Sequence, residues 1–186
     1  MNLIETFQNL VAQVPELVQP LIVALAGAVP FIEGEGAASI GILGGIHPVI
    51  AASAGIIGNF LCVLVLVLLS SGARNAVVSR NHARKARLAA AGGATTGSVT
   101  VVDAEDEADG SRSAARKVKF RRALDRYGVP GVSLLGPLLL PTQFTATMLA
   151  ASGVSKARVL IWQAVAIIGW TTILSVFVGS VVHAVS

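Results

Sequence analysis

LVQPLIVALAGAVPFIEGEGAASIGILGGIHPVIAASAGIIGNFLCVLVLVLLS, residues 17–70, holds two short apolar runs around a polar break and then one long run. Leu17 to Ala28 is apolar for twelve residues before Pro30, and Gly36 to Ile46 is about as short. At 1.5 Å per residue the first reaches roughly 18 Å, about half of a bilayer's hydrocarbon core. Between them PFIEGEGAAS places one proline, two glutamates and two glycines within seven residues. Two half-length helices around such a break predict a re-entrant hairpin, which enters the bilayer and returns to the same face. A broken full crossing is the competing geometry. Pro48 to Ser70 then runs 23 residues without a charge, roughly 34 Å and enough to span. Its Ala54, Gly55 and Gly58 allow another helix to approach closely.

Working outward, Asn2 to Val14 sets Leu3, Ile4, Phe7, Leu10, Val11 and Val14 on one stripe, the pattern of a helix lying in the membrane interface. Tyr127 to Gly153 is uncharged but interrupted by Pro130, Pro137 and Pro141, which predicts two short arms around a second break at Pro141-Thr142-Gln143. Lys156 and Arg158 then open an apolar run to Val185, long enough to span with tilt. The expected class is an all-α integral membrane protein with an interfacial helix at 1–15. A first hairpin-plus-span unit follows at 16–72, a charged loop at 73–126 and a second unit at 127–186.

Composition agrees. Of 186 residues 54% are hydrophobic and 13% charged, where a soluble domain carries about 25% charge. The formal charge of +4 would suit nucleic acid, but Lys and Arg are absent from Met1 to Ala73, and twelve of the 14 lie between Arg74 and Arg126. That asymmetry is the positive-inside pattern. It predicts a cytoplasmic central loop with both termini on the other face, and no nucleic-acid partner. Within the loop, Ala89 to Ser113 holds the acidic residues Asp103, Glu105, Asp106, Glu107 and Asp109 and reads as mobile chain. The flanking basic stretches are expected to lie against anionic headgroups. The first 20 residues carry Glu5 and Glu16 and no Lys or Arg, unlike a secretory signal.

Sliding the chain by 111 residues sets Pro30 on Pro141, Ile56-Ile57-Gly58 on Ile167-Ile168-Gly169, and His47 on Arg158. With one span per unit and a cytoplasmic connection, the units run in opposite orientations. Inverted repeats with broken helices are a transporter pattern.

Glu33 and Glu35 are the sharpest feature. A carboxylate at membrane depth is expensive and is protonated, paired or functional, because low-dielectric surroundings favour the neutral form. Both are candidate proton- or cation-binding groups, or else headgroup-facing residues of a shallow hairpin. Pro30, Gly34, Gly36 and Pro141 are the candidate hairpin breaks. Thr142 and Gln143 in the second break either line the same cavity or satisfy backbone freed by Pro141. Arg158 either pairs with a carboxylate or snorkels to the interface. Asn59 and Gln163 lie within the spans and suit interhelical hydrogen bonds. No nucleophile elbow, phosphate loop or HExxH element is present, and the three histidines are dispersed. Neither an enzyme nor a metal or other cofactor is expected.

AVPFIEGEGAASIGILGGIHPVIAASAGIIGNFLCV resembles the putative small multidrug export protein family, whose Pro-x-x-Glu element and Gly-Asn pair match Pro30, Glu33, Gly58 and Asn59. Tyr127 through Pro141 to Gly169-Trp170 is similar to the distantly related DedA superfamily. The family pattern continues Glu-Leu-Arg-Gly where this chain has Glu33-Gly34-Glu35-Gly36, so an acid stands at the arginine's place. The resemblance implies paired re-entrant hairpins, a bacterial plasma membrane and proton-dependent transport. The expected function is proton-coupled export of a hydrophobic or cationic solute. The alternatives are a phospholipid or polyprenyl-phosphate translocase and a membrane scaffold that binds a partner through its basic loop. Two spans give thin shielding, and the small-residue faces suggest a homodimer.

Overall fold

A computed structural model of the chain describes residues 3–90 and 110–185, and every element among them is helical. In order they are α1 (Leu3–Gln13), α2 (Gln19–Gly27), α3 (Glu33–Leu43), α4 (Pro48–Ala90), α5 (Gly110–Leu135), a short 3-10 turn (Gly136–Leu138), α6 (Thr142–Ala151) and α7 (Lys156–Val185). Pro20 sits in the first turn of α2, where its missing N–H costs nothing. Pro48 opens α4 in the same way. Gly128 takes φ 66 and ψ −174 and kinks α5 ahead of Pro130, so the arm that pairs with α6 begins near Val129.

Two apolar cores organise the helices. The first joins Val11 of α1, Val23 and Ala26 of α2, Ala37 and Ile40 of α3, and Ala51 and Ala54 at the start of α4; Val178 and Val182 near the end of α7 pack against it. The second joins Val63 and Val67 farther along α4, Val129 and Val132 of α5, Leu149 of α6, and Val159 and Ile167 in the first half of α7. The long helices α4 and α7 therefore thread both cores in opposite directions. Gly179 near the end of α7 lies against Pro48 at the start of α4, as that arrangement requires. Each short-helix hairpin packs on its own long helix and on the other's.

Pro48–Ser70 and Lys156–Val185 are each long and apolar enough to cross a membrane, and only 33% and 22% of their most apolar windows is buried inside the protein. Leu61, Val65 and Leu69 on α4 and Ile161, Ile173 and Phe177 on α7 are exposed. An apolar surface that broad marks an interaction face and is compatible with lipid.

Four expectations change. The first break is tighter than PFIEGEGAAS: α3 begins at Glu33, so Gly34 and Gly36 lie in a helical turn and not in the break. The positive φ values there belong to Phe31 (72) and Glu33 (56). Gly34 serves close approach instead, since a Cβ there would collide with Thr171 Oγ1, and one at Gly55 with the Gly34 carbonyl. Likewise Thr142 and Gln143 open α6 rather than filling the second break.

Next, α4 does not stop at Ser70 but continues to Ala90, about 65 Å in all. RNHARKARLAA is rich in strong helix formers. Ala89 and Ala90 close α4 while Gly110 to Ser113 open α5; the rest of the expected mobile loop, with its acidic residues, lies outside the described residues.

Last, the elements do not recur at 111. Glu33 and Thr142 open the inner short helices 109 apart, and Pro48 and Lys156 open the long ones 108 apart (156 − 48). His47 then matches Ser155, not Arg158: each carbonyl accepts the first i to i+4 bond of its long helix, from Ala51 and from Val159. Gly58 and Gly169 are not equivalent either. A Cβ at Gly58 would strike the Ala24 carbonyl, while at Gly169 it meets nothing within 4 Å.

Candidate functional site

Pro141 occupies the N-cap of α6 and supplies no side-chain cap, because it has no polar side-chain atom. The first N–H groups of a helix need partners from elsewhere. They find one in the other half of the molecule: the Thr142 N–H donates to Glu33 Oε1, and the Thr142 hydroxyl donates to Glu33 Oε2 at 2.8 Å. The carboxylate thus caps α6 across 109 residues of sequence, at the helix end whose dipole favours negative charge. Glu33 is 4% exposed and Thr142 1%. The left-handed backbone at Phe31 and Glu33 is what carries the first break round so that α3 starts with this side chain aimed at α6.

One residue on, Gln143 Nε2 donates to Asn59 Oδ1 of α4 at 3.2 Å, both side chains being buried. The pair is half satisfied, with Gln143 Oε1 and Asn59 Nδ2 left without partners. On the far side of Gly34 stands Thr171 of α7, fully buried, its hydroxyl also without a partner. The seam between the two cores is therefore polar, and among the described residues Glu33 is its one buried acid.

Glu35 is half-buried, one position beyond Gly34. It shares with Glu33 a cavity of about 400 Å³ that also meets Ser39, Leu138, Leu139 and Leu174, within the range of small-molecule sites. Its lip is apolar: Phe31 is 82% exposed and Leu139 85%. Phe31 and Phe144 face one another across the two breaks, ring centroids 6.4 Å apart. Chemically the site offers two carboxyl groups, a helix N-terminus and unpaired amide and hydroxyl groups beside an open apolar lip.

Of the residues singled out from sequence, Glu33, Thr142, Gln143 and Asn59 meet in this seam, and Glu35 lies at its edge. Pro30 and Pro141 flank the two turns. Arg158 does not join them. It is exposed in the first turn of α7, and Thr171 lies thirteen residues farther along that helix, roughly 20 Å at 1.5 Å per residue, beyond an arginine's reach. Gln163 is buried and donates to Ser133 Oγ at 3.5 Å. Trp170 Nε1 donates to the Leu134 carbonyl at 2.9 Å, one of those freed where α5 ends. Sequence reasoning passed over Ser133, Thr171 and Ser175, all buried. Single hydroxyls on an apolar helix carry little signal, but the spacing of 163, 171 and 175 by multiples of four puts them on one face of α7.

No family model, curated protein or solved structure matches the chain.

Proposed function

We propose that the chain is a small multi-pass carrier of a bacterial plasma membrane that exports a hydrophobic or cationic solute against protons. In this reading α2–α3 and the α5–α6 arms are re-entrant hairpins in two oppositely oriented units. The basic centre is cytoplasmic, both termini lie outside, and a second copy adds shielding. The resemblance to the small multidrug export family and the DedA superfamily points the same way, as do the antiparallel α4 and α7.

One observation carries the proposal: the carboxylate of the first break is bonded, buried, to the helix start of the second. As a carboxylate Glu33 accepts from both Thr142 donors, and its charge strengthens both bonds. Once protonated, Oε2 donates to the Thr142 hydroxyl instead, and a charge-assisted contact becomes a weaker neutral one. Proton uptake by Glu33 then loosens the contact between the halves, and proton release restores it, coupling a proton to alternating access. Glu35 and the cavity beside it receive the solute, and the apolar lip admits it from the bilayer.

In proteoliposomes with an imposed pH gradient, Glu33→Gln with Glu35→Gln is expected to abolish solute flux, with the protein still folded by circular dichroism. Undiminished flux overturns the proposal. The lip of Phe31, Leu138 and Leu139 also suits a lipid tail, which favours a translocase as the second reading. Movement of a fluorescent phospholipid or polyprenyl phosphate in the same vesicles, without dye export, would select it.

A further inference from the structure

Among the described residues six buried side-chain atoms lack hydrogen-bond partners, and three of them lie on one helix: Gln163 Oε1, Thr171 Oγ1 and Ser175 Oγ of α7. Their residues are 0%, 0% and 4% exposed. Buried polar groups are almost always satisfied by protein or by ordered water. Among the described residues, the hydroxyls of Ser39, Ser70, Thr147 and Ser152 bond back to the Glu35, Val67, Phe144 and Met148 carbonyls, while Thr145 Oγ1 of α6 has no partner. Thr171 and Ser175 do not bond back, although the same bond is open to them. The three residues span twelve positions of α7, roughly 18 Å. At Thr171 the stripe passes against Gly34, the residue next to Glu33. Leu174, beside Ser175, lines the acidic cavity, and Gln163 continues the stripe the other way to Ser133. Ile167, 2% exposed, interrupts it between Gln163 and Thr171.

We propose that this stripe of α7 binds a file of water molecules that carries protons between Glu33 and the two ends of the protein. Thr171 and Ser175 serve one side, Gln163 with Ser133 serves the other, and Ile167 parts the two. A buried water takes two to four polar partners, and hydroxyls and amides, which both donate and accept, suit a chain that must pass protons in either direction. At the junction Glu35 is the other titratable group among the described residues; the helices packed against Glu33 present Asn59, Thr142, Gln143 and Thr171, all neutral. The file rests on the reading of Glu33 as the proton-binding group, and it identifies the route by which that group is reached.

The test is radiolytic hydroxyl-radical footprinting of the full chain in lipid nanodiscs, which oxidises side chains touching bound water. Ile167 and Leu174 are expected to be modified several-fold faster than the lipid-facing Ile173. Thr171→Val with Ser175→Ala should cut the rates at Ile167 and Leu174 at least threefold and leave Ile173 unchanged. Thr171→Ser, which keeps the hydroxyl, should restore them. Proton entry into vesicles holding a pH-sensitive dye should fall by a similar factor in the Val/Ala variant. A stripe as slow as Ile173, or rates indifferent to the Val/Ala pair, overturns the proposal. Footprinting reads hydration whether or not any solute is carried, so a dry stripe and a failed Glu33→Gln flux experiment are separate results.

Discussion

The two breaks are built alike and equipped differently. The first follows the short α2 and the second the short arm of α5 beyond its Gly128 kink, each passes a proline, and each delivers the first turn of its inner helix to the same seam. The first brings acceptors, Glu33 and, at the edge, Glu35. The second brings donors, the Thr142 N–H and hydroxyl and the Gln143 amide. If both tips were acidic they would repel, and if both were neutral the seam would hold no exchangeable charge. An unlike pair matches acceptors on one tip with donors on the other. The same asymmetry extends to packing: Gly58 lets α2 lie against α4, whereas Gly169 opens onto nothing.

The heaviest blow to that asymmetry is Thr142→Val. It keeps the shape and the backbone N–H but strips the hydroxyl from Glu33 Oε2. A hydrogen bond to a charged group contributes about 1.5–3 kcal/mol, and unfolding from mixed micelles monitored by circular dichroism should register a loss of that order. The loss should shrink as the pH is lowered, because the bond to a protonated Glu33 is a weaker, neutral one. A pH-independent loss would mean that the carboxyl is neutral in the folded protein throughout.

Gly58→Ala against Gly169→Ala is the next contrast. The first drives a methyl group into the Ala24 carbonyl and should cost about 1–3 kcal/mol as overpacking. The second fills open space and should be neutral or stabilising by about 0.5–1 kcal/mol from helix propensity. Equal effects would show that α2 does not hold its place against α4. Smaller again is the coupling between Asn59 and Gln143. A double-mutant cycle with Asn59→Leu and Gln143→Leu should return an interaction of about 1 kcal/mol, and zero coupling would make them two independent buried amides.

Hydropathy and punctuation made much of this architecture readable. The short runs around Pro30 and Pro141 became α2, α3 and α6, and the uncharged stretch from Pro48 to Ser70 became the apolar part of α4. Glu33 stood out because charge in an apolar setting is costly. Thr142 was named as a residue of the same cavity, but its direct bond to Glu33 was not legible, because a backbone N–H leaves no trace in sequence. Aligning identities set an offset of 111, two to three residues away from the spacing of the helix starts, since shared Gly and Ile are common in apolar helices while helix starts follow the capping geometry. Arg158 was weighed as a partner for a carboxylate on charge alone; distance along α7 removes it. Where charge reappeared after Ser70 a change of structure was expected, yet Ala, Arg and Lys propagate a helix as well in water as Leu does in lipid.

The lightest test concerns Phe31, where the two tips touch outside the seam. Its ring meets that of Phe144 at 6.4 Å with a tilt of 51°, and its backbone has φ 72, a region that bulky residues rarely occupy. A ring pair of this kind contributes about 0.5–1.5 kcal/mol, toward the low end here because Phe31 is 82% exposed. Phe144→Ala and Phe31→Ala should therefore each lose about 0.5 kcal/mol, and the double variant no more than either alone. Phe31→Gly loses the same ring but occupies positive φ freely, so its stability should return close to that of the unaltered protein. If glycine proves as harmful as alanine at position 31, the left-handed turn carries no strain, and the first break is held by its tertiary contacts rather than held against its own backbone.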